Sequence, residues 1–132
     1  MSVFVDTSAI LALLNIEDIN HAKALITWRS LIDDEVPMIS TIFVLSESFA
    51  LVQSRLGIEA VRSLHEVIRP YLFMEWGDER LYLEAASAVL TTNRRSLSLV
   101  DCSSFVVMRR LSISTAFAFD NHFTEQGFVL LT

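Results

Sequence analysis

The sequence is poor in cysteine, in lysine and in long apolar runs. Cys102 is the one cysteine among 132 residues, so no disulfide can form within the chain, and a lone thiol fits a reducing compartment. No apolar run approaches the roughly 18 residues that span a bilayer. Asp6 interrupts the first apolar stretch, and no basic segment precedes it. We therefore expect a cytoplasmic protein that is neither secreted nor embedded in a membrane.

Internal repeats, linkers and low-complexity segments are also missing from the chain. A length of 132 residues is enough to bury one core and too short for two. We therefore predict a single domain over residues 1–132. Apolar residues make up 52% of the chain, which is high for ordinary soluble proteins. We expect the excess to cover a partner or a second copy, with the predicted helices between 41 and 68 as the surface.

Positive charge is scarce, with 10 basic against 16 acidic residues and a net charge of −6. This balance argues against nucleic acid as a partner, because phosphate binding usually shows as a basic patch. Setting aside four acids for a metal site leaves the rest of the chain at −2. Nine of the ten basic residues are arginine, whose forked side chain suits phosphate contacts. Charge alone therefore leaves the partner open.

Apolar runs of strand length alternate with apolar patterns of helical spacing along the chain. Strands are predicted at 2–5, 36–39, 71–74, 115–119 and 127–131, and helices at 9–14, 21–32, 41–56, 58–68, from 78 onward and at 99–111. Ser40 or Thr41 can cap the third helix, and Gly57 can end it. Strands that alternate with helices predict an α/β fold with a mainly parallel sheet.

Four acids occupy positions at or near the ends of these elements. Asp6 and Asp120 follow predicted strands, Asp101 lies in the first turn of a predicted helix, and Glu47 lies on the apolar face of another. In an open parallel sheet, the carboxyl ends of strands and the amino ends of helices meet at one edge, where ligands bind. We therefore expect these four carboxylates to lie in one pocket.

Each acid also has a local structural explanation. Asp6 can cap the helix that follows it, Asp101 can close a capping box with Ser98, and Asp120 suits a turn. Glu47 can be partly exposed or can pair with an arginine. These alternatives stay open for each residue taken singly, and only the conjunction of the four favours a site.

Four clustered carboxylates repel one another unless cations neutralise them. The hard divalent ions Mg²⁺ and Mn²⁺ are natural occupants of such a site, because they take oxygen ligands. Such ions activate water and stabilise the leaving oxygen of a phosphodiester. The acids therefore predict metal-assisted phosphodiester hydrolysis. The neighbouring Arg94 and Arg95 are candidate phosphate contacts or a solvated loop, and His122 is a candidate hydrogen-bond partner or substrate contact near the pocket.

Four short motifs occur in the order and spacing of a known family. They are V-D-T-S at 5–8, S-E at 46–47, L-S-L-V-D-x-S-S-F at 97–105 and F-D-x-H-F at 119–123. With these motifs the chain resembles the PIN-domain ribonucleases, and among them the VapC-like toxins of toxin–antitoxin pairs. The resemblance implies a PIN-like three-layer fold, with a mainly parallel central sheet flanked by helices.

The resemblance also implies a function and a set of site residues. It implies that Asp6, Glu47, Asp101 and Asp120 are catalytic and hold Mg²⁺ or Mn²⁺ for endonucleolytic cleavage of RNA. It further implies homodimers, and a small antitoxin protein that inserts a segment into the active-site groove.

Two other classes of function fit the residues less well. One class consists of proteins in which an aspartate, here Asp6, is the nucleophile that accepts a phosphate. Their sites need a lysine in the pocket, and the one lysine here is Lys23, on a predicted exposed helix. A PIN fold kept only for binding RNA or protein is the stronger rival. Such a module is expected to lose acids, and this chain keeps all four.

Overall fold

The computed structural model describes residues 1–131 and is built around a five-stranded sheet. The strands are β1 (Val3–Val5), β2 (Met38–Thr41), β3 (Leu72–Glu75), β4 (Thr115–Phe117) and β5 (Val129–Leu130). Neighbouring strands are parallel throughout, in the order β3-β2-β1-β4-β5. The prediction of an α/β fold with a mainly parallel sheet is confirmed.

Seven α-helices flank the sheet. They are α1 (Thr7–Leu14), α2 (His21–Asp33), α3 (Ile42–Leu56), α4 (Ile58–Ser63), α5 (Glu79–Thr92), α6 (Leu99–Arg110) and α7 (His122–Glu125). A π-helical turn (Leu64–Ile68) and a 3₁₀ turn (Arg69–Tyr71) carry the chain from α4 into β3. In the part of the chain that the structure describes, no helix is both long and apolar enough to cross a membrane.

The centre of the core is β1, whose three residues are completely buried. Its position between β2 and β4 leaves no free edge, and helices cover both faces, so a continuous V-F-V run suits the strand. Pro37 comes directly before β2, where its missing N–H disturbs no ladder, and its carbonyl oxygen accepts the N–H of Val3 at 2.9 Å.

Short polar side chains set where the helices begin. Thr41 ends β2 and caps α3 by accepting the N–H of Val44 at 3.1 Å, and α3 ends at Gly57, which has a φ of 94°. Both predictions are confirmed. Because α1 and α3 follow β1 and β2 without a long loop, their amino ends lie at the carboxyl edge of the sheet. This edge is the one that carries Asp6.

The strand β4 is shorter than the sequence predicts. It ends at Phe117 and not at Phe119. The N–H of Phe119 donates to the hydroxyl oxygen of Ser8 at 2.9 Å, so this residue bonds to the start of α1 instead of to a neighbouring strand. Asp120 therefore lies in the loop beyond the strand, two residues before α7 begins at His122.

Candidate metal centre at the carboxyl edge of the sheet

Asp6 joins the central strand to the first helix. It follows β1 directly and caps α1, with Oδ2 accepting the N–H of Ser8 at 3.2 Å and the hydroxyl of Ser8 at 2.7 Å. The residue is only 4% exposed. The structural explanation of Asp6 as a cap is therefore correct, and it does not exclude a role in a site, because the cap uses one carboxylate oxygen.

The protonation of Asp6 is unusual for an aspartate. Burial raises its pKa to about 6, the hydrogen bonds from Ser8 oppose the rise, and the negative charge of Asp101 adds to it. The charge of Asp101 acts in this direction because like charges repel, which favours the protonated form of Asp6. Two acids at positions 6 and 101 therefore share one electrostatic environment.

Asp101, Asp120 and His122 form a compact set of possible metal ligands. One ligand atom from each residue lies within 4.8 Å of the other two, and all three residues are partly buried. His122 Nδ1 lies 3.1 Å from Oδ1 of Asp120 and 3.8 Å from Oδ2 of Asp101. The structure thus brings together two of the four predicted acids and adds a histidine.

Local hydrogen bonds hold the two acids in place. Asp101 and Ser98 form a capping box at the start of α6, in which each side chain accepts the other's backbone N–H at 3.0 Å. Oδ1 of Asp120 accepts the backbone N–H of His122 at 2.9 Å. Within residues 1–131, no hydrogen bond uses the remaining oxygens, Oδ1 of Asp101 and Oδ2 of Asp120, and each can accept a further partner.

The Nδ1 atom of His122 is buried and has no hydrogen-bond partner among residues 1–131. Oδ1 of Asp120 is close, at 3.1 Å, but it lies outside the direction in which a ring N–H donates. A buried polar atom without a partner is uncommon and calls for an explanation. A positive charge between the ring and the carboxylates would provide one.

Glu47 lies on α3, half-buried, and outside the set of three. No ion pair joins it to another residue of the described chain. The next residue, Ser48, donates its hydroxyl to Oγ1 of Thr7 at 3.3 Å. This contact packs α3 against the start of α1, directly after Asp6. The helix that carries Glu47 therefore lies near the carboxyl edge of the sheet. That the Glu47 side chain belongs to the site stays a prediction.

The two arginines of the loop before α6 are exposed, as predicted for a solvated loop. Arg94 forms an ion pair with Glu125 on α7, with 3.1 Å between Nη1 and Oε2. The pair connects this loop to the short helix that begins with His122. Arg95 lies beside it and is exposed, so its guanidinium can reach a ligand in solvent. Their predicted phosphate contacts stay predictions.

Two features of the site escape sequence reasoning. The first is that His122 offers a possible ligand atom within 4.8 Å of those of Asp101 and Asp120, whereas the sequence indicated a hydrogen-bond partner or RNA contact near the pocket. The second is the hydroxyl of Ser8, which accepts the N–H of Phe119 while it donates to the Asp6 carboxylate. This second link joins residues 111 positions apart, so no local pattern indicates it.

The donor set suits a divalent metal ion. Carboxylate oxygens are the ligands that Mg²⁺ and Mn²⁺ prefer, and a histidine nitrogen is a common ligand of transition metals. The buried, unpartnered Nδ1 of His122 and the repulsion between Asp6 and Asp101 both favour a cation at this position. The residues present therefore fit a metal centre.

Comparisons with known proteins match nearly the whole chain. A family model described as PIN domain matches residues 3–129. The 23S rRNA-specific endonuclease VapC20 of Mycobacterium tuberculosis is 33% identical over 129 residues, which cover 96% of this chain and 95% of the relative. These matches span the elements that carry Asp6, Asp101 and Asp120.

Two solved structures are similar in fold. The crystal structure of Mycobacterium tuberculosis VapC20, described as a sarcin-ricin loop cleaving toxin, matches with a TM-score of 0.85 and 33% identity, over 97% of each chain. The crystal structure of FitAcB from Neisseria gonorrhoeae matches with a TM-score of 0.67 and 16% identity, over 98% of this chain and 96% of that one. The second match concerns the fold alone.

Proposed function

Because the chain belongs to the PIN-domain family, we propose that it is a metal-dependent endoribonuclease that acts as the toxin of a toxin–antitoxin pair. Membership of this family confirms the resemblance that the four sequence motifs indicated. The observation that carries the proposal is the set of ligand atoms on Asp101, Asp120 and His122, all within 4.8 Å of one another at the carboxyl edge of the sheet.

We assign the metal to Asp6, Glu47, Asp101 and Asp120, with Mg²⁺ or Mn²⁺ as the ion. A bound ion would supply an activated water and would stabilise the leaving oxygen of the phosphodiester. Asp101 and Asp120 each keep one carboxylate oxygen free of hydrogen bonds within the described chain. Asp6, with a pKa of about 6, is mostly ionised at neutral pH, so it contributes negative charge to a cation.

The proposed substrate is RNA, and the charge of the chain sets how it binds. A net charge of −6 repels a polyanion, so the protein without metal should bind RNA weakly. Arg94 and Arg95 are the proposed phosphate contacts, because their loop is exposed. The ion pair between Arg94 and Glu125 also joins this loop to α7, the helix that begins with His122. Selectivity then depends on RNA shape and on unstacked bases in a loop. The sarcin-ricin loop named for the relative is the first RNA to test.

We also propose that the chain forms a homodimer through α3 and α4. A groove of about 320 Å³ lies beside these helices and is mostly apolar in surface. Its lining residues are Phe49, Ile58 and Val61, with Arg62, His65 and Glu66. Phe49 is 42% exposed and Ile58 is 56% exposed, although both are large and apolar.

A small antitoxin is the second proposed partner, with a segment that enters the acidic site. A cytoplasmic location remains a prediction from the lone buried Cys102.

The proposal is tested with purified protein, shown to be free of bound inhibitor, and two RNA probes. One probe is a hairpin with the sarcin-ricin loop sequence, and the other is the same stem closed by a different loop. We expect cleavage within the single-stranded loop in Mg²⁺ or Mn²⁺, and none in EDTA. Asp6→Ala and Asp101→Ala should abolish cleavage, and Asp33→Ala, a change at an exposed acid on α2, should not.

A wider substrate test uses total cellular RNA with and without metal. If cellular RNA is cut in the presence of metal while both hairpins stay intact, the protein is a nuclease, and its substrate is an RNA other than the proposed loop. Unchanged RNA under both conditions would overturn the nuclease and favour a PIN fold that only binds. Cleavage that persists in Asp101→Ala would place the active site elsewhere.

A further inference from the structure

On the premise of the metal-dependent function above, we propose that His122 is itself a metal ligand, through Nδ1. We further propose that this nitrogen makes the site favour transition-metal ions over Mg²⁺. The sequence motifs assign the metal to carboxylates alone, and they leave His122 as a contact for RNA. The structure places this ring beside the carboxylates, on the first residue of α7.

The distances fit three ligands on one ion. Nδ1 lies 3.1 Å from Oδ1 of Asp120 and 3.8 Å from Oδ2 of Asp101. In an octahedral ion with bonds of about 2.1 Å, adjacent ligand atoms are about 3 Å apart and opposite atoms about 4.2 Å apart. Both observed distances fall within that range, and the distance between the two acids is at most 4.8 Å. The two oxygens measured here each accept a backbone N–H already, but a carboxylate oxygen has a second lone pair that can bind an ion.

The state of Nδ1 is an observation independent of the acids. The atom is closed to solvent and has no hydrogen-bond partner among residues 1–131. Leaving a buried polar atom unpaired destabilises the fold, because the atom has lost its hydrogen bonds to water. Nδ1 lies beside two carboxylates, and either a proton on the ring or a metal ion would offset their charge. Of the two, a metal ion also takes oxygen ligands from both acids. A metal ion therefore satisfies the nitrogen and both acids together.

Packing holds the ring at this place. The next residue, Phe123, is completely buried and lies edge-on to Phe105 of α6, with 5.3 Å between the ring centroids. Asp101 lies on the same helix, so the aromatic contact fixes α7 relative to one of the acids. The backbone N–H of His122 donates to Asp120, which fixes the other acid. Rigid support of this kind is what a metal ligand requires.

Imidazole nitrogen changes which ions bind well. Mg²⁺ prefers oxygen ligands and keeps several waters, whereas affinity for a mixed nitrogen and oxygen site rises from Mn²⁺ to Co²⁺. A site of carboxylates alone discriminates less between these ions. The ratio of Co²⁺ to Mg²⁺ affinity therefore measures the nitrogen ligand, and it requires no RNA and no cleavage.

The test uses the full chain with Mn²⁺, Co²⁺ and Mg²⁺ alone. Pulsed electron paramagnetic resonance of bound Mn²⁺ detects a directly bonded ¹⁴N nucleus. We expect this ¹⁴N coupling in the parent protein and in His65→Asn, which changes an exposed histidine, and we expect its loss in His122→Ala. Circular dichroism and melting curves check that each variant is folded.

Calorimetric titration of the conservative variant separates ligation from positioning. The amide oxygen of His122→Asn can take the place of Nδ1, so Mg²⁺ affinity should be kept, while the ratio of Co²⁺ to Mg²⁺ affinity should fall at least about tenfold. If His122 only orients Asp120, the amide N–H₂ would replace the ring for all ions and leave the ratio unchanged, which would overturn the proposal.

The outcomes distinguish this proposal from the proposed function. Mn²⁺ that binds the parent without ¹⁴N coupling would remove His122 from the ligands and leave a metal-dependent nuclease intact. A parent protein that binds none of the three ions would overturn both. Coupling that persists in His122→Ala would assign the nitrogen to another residue.

Discussion

The hydroxyl of Ser8 donates to the Asp6 carboxylate at 2.7 Å, and it is the same oxygen that accepts the N–H of Phe119. One side chain thus connects the end of the central strand with the turn that carries Asp120. Segments 111 positions apart in the sequence meet at this hydroxyl, and the position of two acids depends on it.

Removing this hydroxyl should therefore loosen the site. Ser8→Ala leaves the N–H of Phe119 without its partner, and we expect a loss of about 1–3 kcal/mol in the free energy of unfolding. Ser8→Thr keeps the hydroxyl and should retain most of the stability. Urea denaturation of the three proteins measures the difference. Equal stability of Ser8→Ala and the parent would show that the link contributes nothing.

The raised pKa of Asp6 should make the metal-free protein less stable as pH rises. The folded state holds this proton up to about pH 6, whereas the ordinary pKa of an aspartate is 3.8. The stabilising contribution is therefore complete below the lower value and is lost as pH rises through about 6. The full effect is about 3 kcal/mol.

Asp6→Asn removes this titration while its amide oxygen can still accept the hydrogen bonds from Ser8. In EDTA, the stability of the variant relative to the parent should increase between pH 4 and pH 7. The exposed change Asp33→Asn serves as the control. Chemical denaturation at a series of pH values measures the difference. A constant difference across this range would contradict the raised pKa.

Neutralising Asp101 should stabilise the metal-free fold and abolish activity. Asp101→Asn keeps an oxygen for the N–H of Ser98 and removes a charge that repels Asp6. In EDTA, the variant should therefore melt at least as high as the parent. Ser98→Ala is the matched control, since it keeps the charge and removes a cap, at a cost of about 1 kcal/mol. A much lower melting temperature for Asp101→Asn would make Asp101 chiefly a structural cap.

A charge in the apolar groove should prevent self-association. Phe49→Glu places a carboxylate between α3 and α4, and because Phe49 is 42% exposed, the monomer should still fold. We expect the parent to be a dimer at micromolar concentration and the variant to be a monomer, as measured by light scattering. Phe73→Glu, at a position 68% exposed on the edge strand β3, should leave the dimer intact. A monomeric parent would contradict the predicted dimer.

Features that depend on neighbouring residues could be predicted from the sequence. The cap of Thr41, the stop at Gly57 and the capping box of Ser98 with Asp101 involve contacts within a few positions, and all are found. The alternation of strands and helices was enough to predict the parallel sheet, because short βα units leave few other arrangements.

Features that depend on distant contacts could not be predicted. The end of β4 is set by Ser8, and the place of His122 is set by the packing of Phe123 on α6. The sequence indicated Glu47 as an inward-facing acid, but how far its side chain reaches depends on how α3 lies against α1. The angle between α3 and α1 cannot be read from the spacing of residues or from their chemistry.

The central position of β1 affects the order in which the site is completed during translation. Val3 pairs with Thr115, so β1 gains this neighbour only after β4, which lies much later in the sequence, has been made. The nascent chain carries Asp6 and Glu47 long before Asp120 and His122 exist. If the protein cleaves RNA as proposed, an unfinished chain lacks two of the side chains at the candidate metal centre, and it should not cleave RNA before it is complete.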